Sequence, residues 1–294
     1  DIGPDDEVIV SSITFAASSN CVLYCGGTPV FADINPETYN IDPASIRKLI
    51  TPKTKAIVAV DFTGQATELD EIRAICKEHN LILIQDAAHS IGTKYKGQGV
   101  GSIADMTCFS FHPVKTITAG EGGAITTNDE QLYRKLLRLR THGITRNMGE
   151  MVHPSDDPWY QEQVDLGYNY RMSNVIAGVV RGQLPYLEEH RDRKEAIYRR
   201  YKEAFADLPV RMNPYLKESK PNFWLSCLTV NEGCSTEPLR IIEKLSENNV
   251  EARPIWKPMH MQPVFSECDF ISVEESPVDE DIFARGLCLP SDIK

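Results

Sequence analysis

Short apolar runs alternate with stretches of helical spacing along the first part of the chain. VIVSS at 8–12 predicts a strand, and residues 15–25 predict a helix. PVFAD at 29–33 is a second strand, and Asp42-Pro43 then opens a helix with a capping side chain and a proline in the first turn. AIVAV at 56–60 and LILIQ at 81–85 are further strands. Between them, apolar residues at 69, 72, 75 and 76 share one helical face. This β-α-β-α order predicts an α/β fold with a mostly parallel sheet covered by helices. Ligands in such sheets bind beyond the carboxyl ends of the strands, so residues just after each strand are the ones to inspect.

From about residue 102 the pattern changes to short strands and turns. MTCFSF at 106–111 and GGAITT at 122–127 read as strands, and 129–141 reads as a helix. The polar, proline-containing stretch 147–165 predicts a long ordered loop or lid. Ser173 caps a helix expected to reach Leu187, and another helix follows to Phe205. Beyond Pro209 a smaller α/β unit is expected, with strands at 223–230 and 250–256 around a helix at 237–248. The division falls near 190, giving a large unit over 1–190 and a small one over 191–294.

Composition narrows the classes of function. The 294 residues carry 41% hydrophobic and 25% charged side chains and a net charge of −11. No basic stripe suited to nucleic acid is visible, and no long apolar run suggests a membrane span. The 8 cysteines form no CxxC pair, so nothing points to a metal site, and a reduced, cytoplasmic protein is expected. Both ends read as cuts through a larger domain.

Two residues stand where chemistry could occur. Asp86 directly follows LILIQ and precedes Ala87-Ala88-His89. Its position alone favours a cap or turn over the other reading, a carboxylate facing a cationic ligand atom. Lys115 lies in FSFHPVK, just before Gly120-Glu121-Gly122-Gly123. A lysine packed among apolar neighbours loses ammonium stability and becomes a usable nucleophile and base, whereas a solvated lysine does not. The glycines do not make an ATP-type phosphate loop, and KGQGVG at 96–101 is not a dinucleotide fingerprint. Taken together, a lysine and a strand-end carboxylate suit pyridoxal 5′-phosphate (PLP), which needs an amine for its imine and a carboxylate for its ring nitrogen.

The stretches DDEVIVSSITFAASSN, GGTPVFADINPETYNID, LIQDAAHSIG, FSFHPVKTITAGEGGAIT, THGITR, DLGYNYRMSN and RPIWKPMHMQPVF resemble the DegT/DnrJ/EryC1/StrS nucleotide-sugar aminotransferases. That resemblance implies PLP fold type I, with a large domain and a smaller C-terminal one. It implies that Lys115 carries PLP and moves the proton, that Asp86 pairs with the ring nitrogen and that His89 contacts the ring oxygen. Ser110 would hold the phosphate and Phe15 would stack on the ring. Asn169 would reach a neighbouring subunit's phosphate, which implies a homodimer with shared active sites. Core packing for Phe15 and a helix-entry turn for Asn169 stay open as readings. The family also carries a phosphate-binding helix start upstream of the region matching residue 1.

Similarity to two branches of the family points to one substrate class, a UDP-linked 4-keto-6-deoxy-N-acetylhexosamine, with glutamate as donor and 2-oxoglutarate as product. Trp256, Lys257 and His260 are candidate substrate contacts. A PLP-dependent sugar dehydratase is an alternative, but that class replaces the lysine by histidine. A non-catalytic regulator that binds PLP or a nucleotide sugar is another.

Overall fold

Alternation decides how the central sheet is built. In β1 (Glu7–Ser11), Val8 and Val10 pack on one face with Val22, Phe31, Met259 and Phe265. Ile9 points the other way, against Ile46, Leu69, Ile72 and Ile75. A strand buried on both faces needs apolar residues at every position, as a parallel sheet with helices on both sides requires.

The computed structural model describes residues 2–293. After β1 come α1 (Ala17–Tyr24), β2 (Thr28–Ala32), α2 (Pro43–Leu49), β3 (Thr54–Val60), α3 (Leu69–His79) and β4 (Ile82–Asp86). The hairpin β5 (Lys94–Tyr95) and β6 (Gln98–Gly99) precedes β7 (Met106–Ser110), β8 (Gly123–Thr126) and α4 (Glu130–Leu139). The pair β9 (Ile144–Thr145) and β10 (Glu162–Gln163) brackets the long loop, and α5 (Asn174–Gln183) and α6 (Leu187–Ala204) follow. The remainder comprises β11 (Val210–Met212), β12 (Ser219–Lys220), β13 (Ser226–Val230), α7 (Pro238–Glu247), β14 (Arg253–Pro254), β15 (Phe270–Ile271), α8 (Val278–Arg285) and β16 (Gly286–Leu289).

The main sheet has 7 strands in the order β15-β2-β1-β3-β4-β7-β8, parallel except for β8. A second sheet, in the order β11-β13-β16-β14, is antiparallel and draws all its strands from residues 210–289. The edge strand β15 comes from beyond residue 190 yet pairs with β2. Among the described residues, no helix is long and apolar enough to cross a membrane.

Two expected caps form. Asp42 accepts from the Ala44 amide at 2.9 Å, and Ser173 accepts from Ile176 at 3.2 Å. Three expected elements are shorter than their patterns. The helix from Ser173 stops at Gln183, and a single 3-10 turn containing Pro185 joins it to α6, because proline has no N–H to donate. In FWLSCLTV only Ser226–Val230 is strand, since Phe223 takes a left-handed backbone (φ 53°) that breaks the extended run before it. In VEARPIW only Arg253–Pro254 pairs, against β16.

Candidate active site

Asp86 ends β4 at the carboxyl edge of the main sheet. One of its oxygens accepts from Ser18 Oγ at 2.6 Å, and the other accepts from the Ala88 amide at 3.0 Å. Ser18 Oγ also lies 2.8 Å from Thr14 Oγ1, so the segment entering α1 aims the carboxylate. Phe15 belongs to this segment, and 63% of its surface is open.

Lys115 sits on a closed loop. The Phe111 amide donates to the Gly122 carbonyl at 2.8 Å, and the Ala119 amide donates to Phe111 at 2.9 Å. Fully buried Ile117 anchors the loop, and the Lys115 amide turns back onto the His112 carbonyl at 3.0 Å. The indole of Trp224 completes the site. Its Nε1 donates to the Val114 carbonyl at 2.8 Å, and the Lys115 ammonium lies 4.1 Å from its ring centroid. Burial pushes the Lys115 amine down from 10.5 to about 8, with the charge of Asp86 partly opposing the drop. A usable fraction is therefore the free base near neutral pH.

His89 is buried and stacks on Trp224 at 4.0 Å and on Trp256 at 5.4 Å between ring centroids. Burial, and then the Lys115 charge, hold its pKa well below 6.5, so the ring is neutral. Its Nδ1 is buried without a hydrogen-bond partner among the described residues. Asn222 fixes the turn behind it by donating to the His89 and Ile91 carbonyls at 2.8 and 2.9 Å. Ser110 ends β7 half-buried, and its hydroxyl accepts from the His112 amide at 3.3 Å.

These groups suit PLP. An amine of lowered basicity, an aimed carboxylate, a neutral imidazole with an orphaned nitrogen and an open aromatic face gather at one sheet edge. Trp256 joins the cluster through its stack on His89. Lys257 is half-buried in the same segment, and its carbonyl accepts from Gln262 at 3.4 Å. His260 points elsewhere: it stacks on Phe270 at 3.7 Å and lies 3.1 Å from Glu280. Asn169 is exposed on a bridge to Thr141, apart from the cluster.

The sequence model of the DegT/DnrJ/EryC1/StrS aminotransferase family matches residues 1–294. This chain belongs to that family. It is 38% identical over 292 residues to a GDP-perosamine synthase of Caulobacter vibrioides, covering 99% of this chain and 75% of the relative. It is 32% identical over 290 residues to the UDP-4-amino-4,6-dideoxy-N-acetyl-beta-L-altrosamine transaminase of Helicobacter pylori, covering 97% and 73%. The PLP form of the putative sugar aminotransferase Spr1654 from Streptococcus pneumoniae superposes with a TM-score of 0.87 at 28% identity, over 99% of this chain and 77% of that one. The family member described here is thus a PLP-dependent sugar aminotransferase of fold type I.

Trp224, Ser18 and Asp61 escaped the sequence reading. Trp224 looked like part of a core strand, and Ser18 like an ordinary helix position. Asp61 carried a usable signal, since it follows β3 as Asp86 follows β4.

Proposed function

We propose that the enzyme moves an amino group from glutamate to the C4 ketone of a UDP-linked 4-keto-6-deoxy-N-acetylhexosamine. The observation that carries the chemistry is the Lys115 amine, lowered to about 8 by burial beside Asp86 and His89. When bound, PLP supplies the electron sink that makes a C–H bond next to nitrogen acidic. The chain's own groups do the rest. Asp86, aimed by Ser18, would hold the ring nitrogen as a cation. His89 stays neutral and offers Nδ1 to a ring substituent. Phe15 would cover one ring face, and Ser110 would offer its hydroxyl to the phosphate. Lys115 Nζ would hold the cofactor and, once free, would serve as the general base and acid that carries the proton. Its basicity suits both directions of that transfer.

The choice of UDP and of an acetamido sugar rests on the similarity of the stretches around Lys115 and Trp256 to enzymes of that substrate class. The matched relatives act on GDP- and UDP-linked sugars, so the base is the open variable. Trp256 and Lys257 are proposed as substrate contacts, and His260 as a residue that fixes their loop. Asn169 is proposed to act in the neighbouring active site of a homodimer. The unit boundary near 190 remains part of this proposal. A dehydratase is disfavoured by the lysine at 115, and a non-catalytic regulator by the assembled site.

The test incubates the PLP-loaded enzyme and glutamate with UDP- and GDP-linked 4-keto-6-deoxy sugars, including both C5 epimers of the UDP-acetamido compound. The proposal requires a 4-amino product and 2-oxoglutarate from a UDP-acetamido substrate. Turnover confined to the GDP sugar would refute it.

A further inference from the structure

Asp61 is wholly buried, and among the described residues no cationic side chain bonds to its carboxylate. Neutral donors satisfy its carboxylate. Ser90 Oγ donates at 2.5 Å and Gln85 Nε2 at 2.8 Å to one oxygen, and the Thr67 amide donates at 3.0 Å to the other. The Asp61 amide itself donates to the Asp86 carbonyl at 3.0 Å. Gln85 continues the chain by accepting from Thr107 Oγ1 at 3.3 Å. The network therefore crosses β3, β4 and β7 just beneath the ends that carry Asp86 and Ser110.

The donors are not arbitrary neighbours. Gln85 immediately precedes Asp86, and Ser90 immediately follows His89. Asp61 thus grips the ring-binding turn at both ends. Burying a carboxylate without a countercharge is costly, and a neutral side chain of the same shape would avoid that cost. A charge placed beneath Asp86 and His89 at that cost calls for a role that the charge performs.

We propose that Asp61 is a positioning residue of the active site, setting the aim of Asp86 and His89 on the cofactor ring through Gln85 and Ser90. The proposal rests on PLP binding at that pair. Burial, opposed by its hydrogen bonds and aided by the charge of Asp86, raises the Asp61 carboxyl to about 7. Asp86 on β4 is the titratable group acting on it, and the contacts from the 61–67 turn, Gln85 and Ser90 are neutral. Protonation makes one oxygen a donor and releases part of the grip.

The test compares pyridoxamine phosphate binding to the cofactor-free chain and to Asp61→Asn, by quenching of tryptophan fluorescence. This ligand has no aldehyde, so Lys115 does not enter covalently. At pH 8 the variant should bind about tenfold more weakly, the scale of one lost charge-assisted hydrogen bond, with its unliganded melting temperature unchanged or raised. The gap should shrink toward pH 6 as wild-type Asp61 protonates. Equal affinity at pH 8, a gap independent of pH, or a weakening matched by a general loss of stability would overturn the proposal. Should Asp61→Asn not fold, Ser90→Ala removes one donor and should weaken binding about threefold, and no change there also overturns it. Wild-type chain that does not bind pyridoxamine phosphate would instead refute the cofactor site itself.

Discussion

Replacing Lys115 by methionine should stabilise the cofactor-free protein at neutral pH while abolishing catalysis. Burial lowers the Lys115 amine from 10.5 to about 8, so the folded state disfavours the ammonium form by about 3 kcal/mol. The sign follows from linkage. Below pH 8 the amine is charged in both states and the full penalty applies. Between 8 and 10.5 the unfolded chain holds the proton more tightly, so stability rises with pH and the penalty disappears. Methionine fills nearly the same volume without charge. It forfeits the contact with the Trp224 ring, about 1 kcal/mol, which leaves a net gain of about 2 kcal/mol at pH 7. For a chain of this size that corresponds to roughly 4 °C in melting temperature. Thermal scans of both proteins, stripped of PLP, at pH 7 and at pH 10.5 measure it. A variant that is less stable at pH 7, or equally shifted at both pH values, would refute the reasoning. Such a gain would mark Lys115 as a residue kept for chemistry against stability.

Other residues make separate predictions. Ser18→Ala removes the 2.6 Å donor to Asp86 and should weaken PLP binding by about fivefold in a cofactor titration, with little change in melting temperature. Trp224→Phe keeps a ring over Lys115 but loses the bond to the Val114 carbonyl, a cost of about 1 kcal/mol in urea denaturation, whereas Trp224→Ala should cost about 3 to 5 kcal/mol. Gly64→Ala puts a Cβ 1.9 Å from Asn222 Oδ1 at a residue with φ of +101°. It should displace Asn222 from the His89 and Ile91 carbonyls, lower the melting temperature and weaken PLP binding in the same titration.

The sheet and its polarity were legible because period and composition were unambiguous. Runs such as AIVAV and LILIQ are apolar on both faces and occur where a parallel sheet needs them. Asp86 and Lys115 were legible because strand ends and the FSFHPVK motif mark them. The stack of Trp224, His89 and Trp256 was not, since His89 lies more than 100 positions from both tryptophans and Trp224 looked like part of a core strand. The edge strand Phe270–Ile271 is too short to carry alternation. His260 sat inside a motif similar to substrate-binding segments, but its ring found Phe270 and the acidic start of α8. Asp61 shows a missed inference of a simpler kind: the rule that singled out Asp86 applied one strand earlier.

Borohydride reduction of the PLP-loaded enzyme, followed by peptide mass analysis, asks whether Lys115 carries the cofactor. The cofactor's mass should be fixed to the peptide containing Lys115, and prior addition of glutamate should release 2-oxoglutarate and remove that label. Labelling of a different lysine, or a bound cofactor that reduction fixes to no side chain, would contradict it.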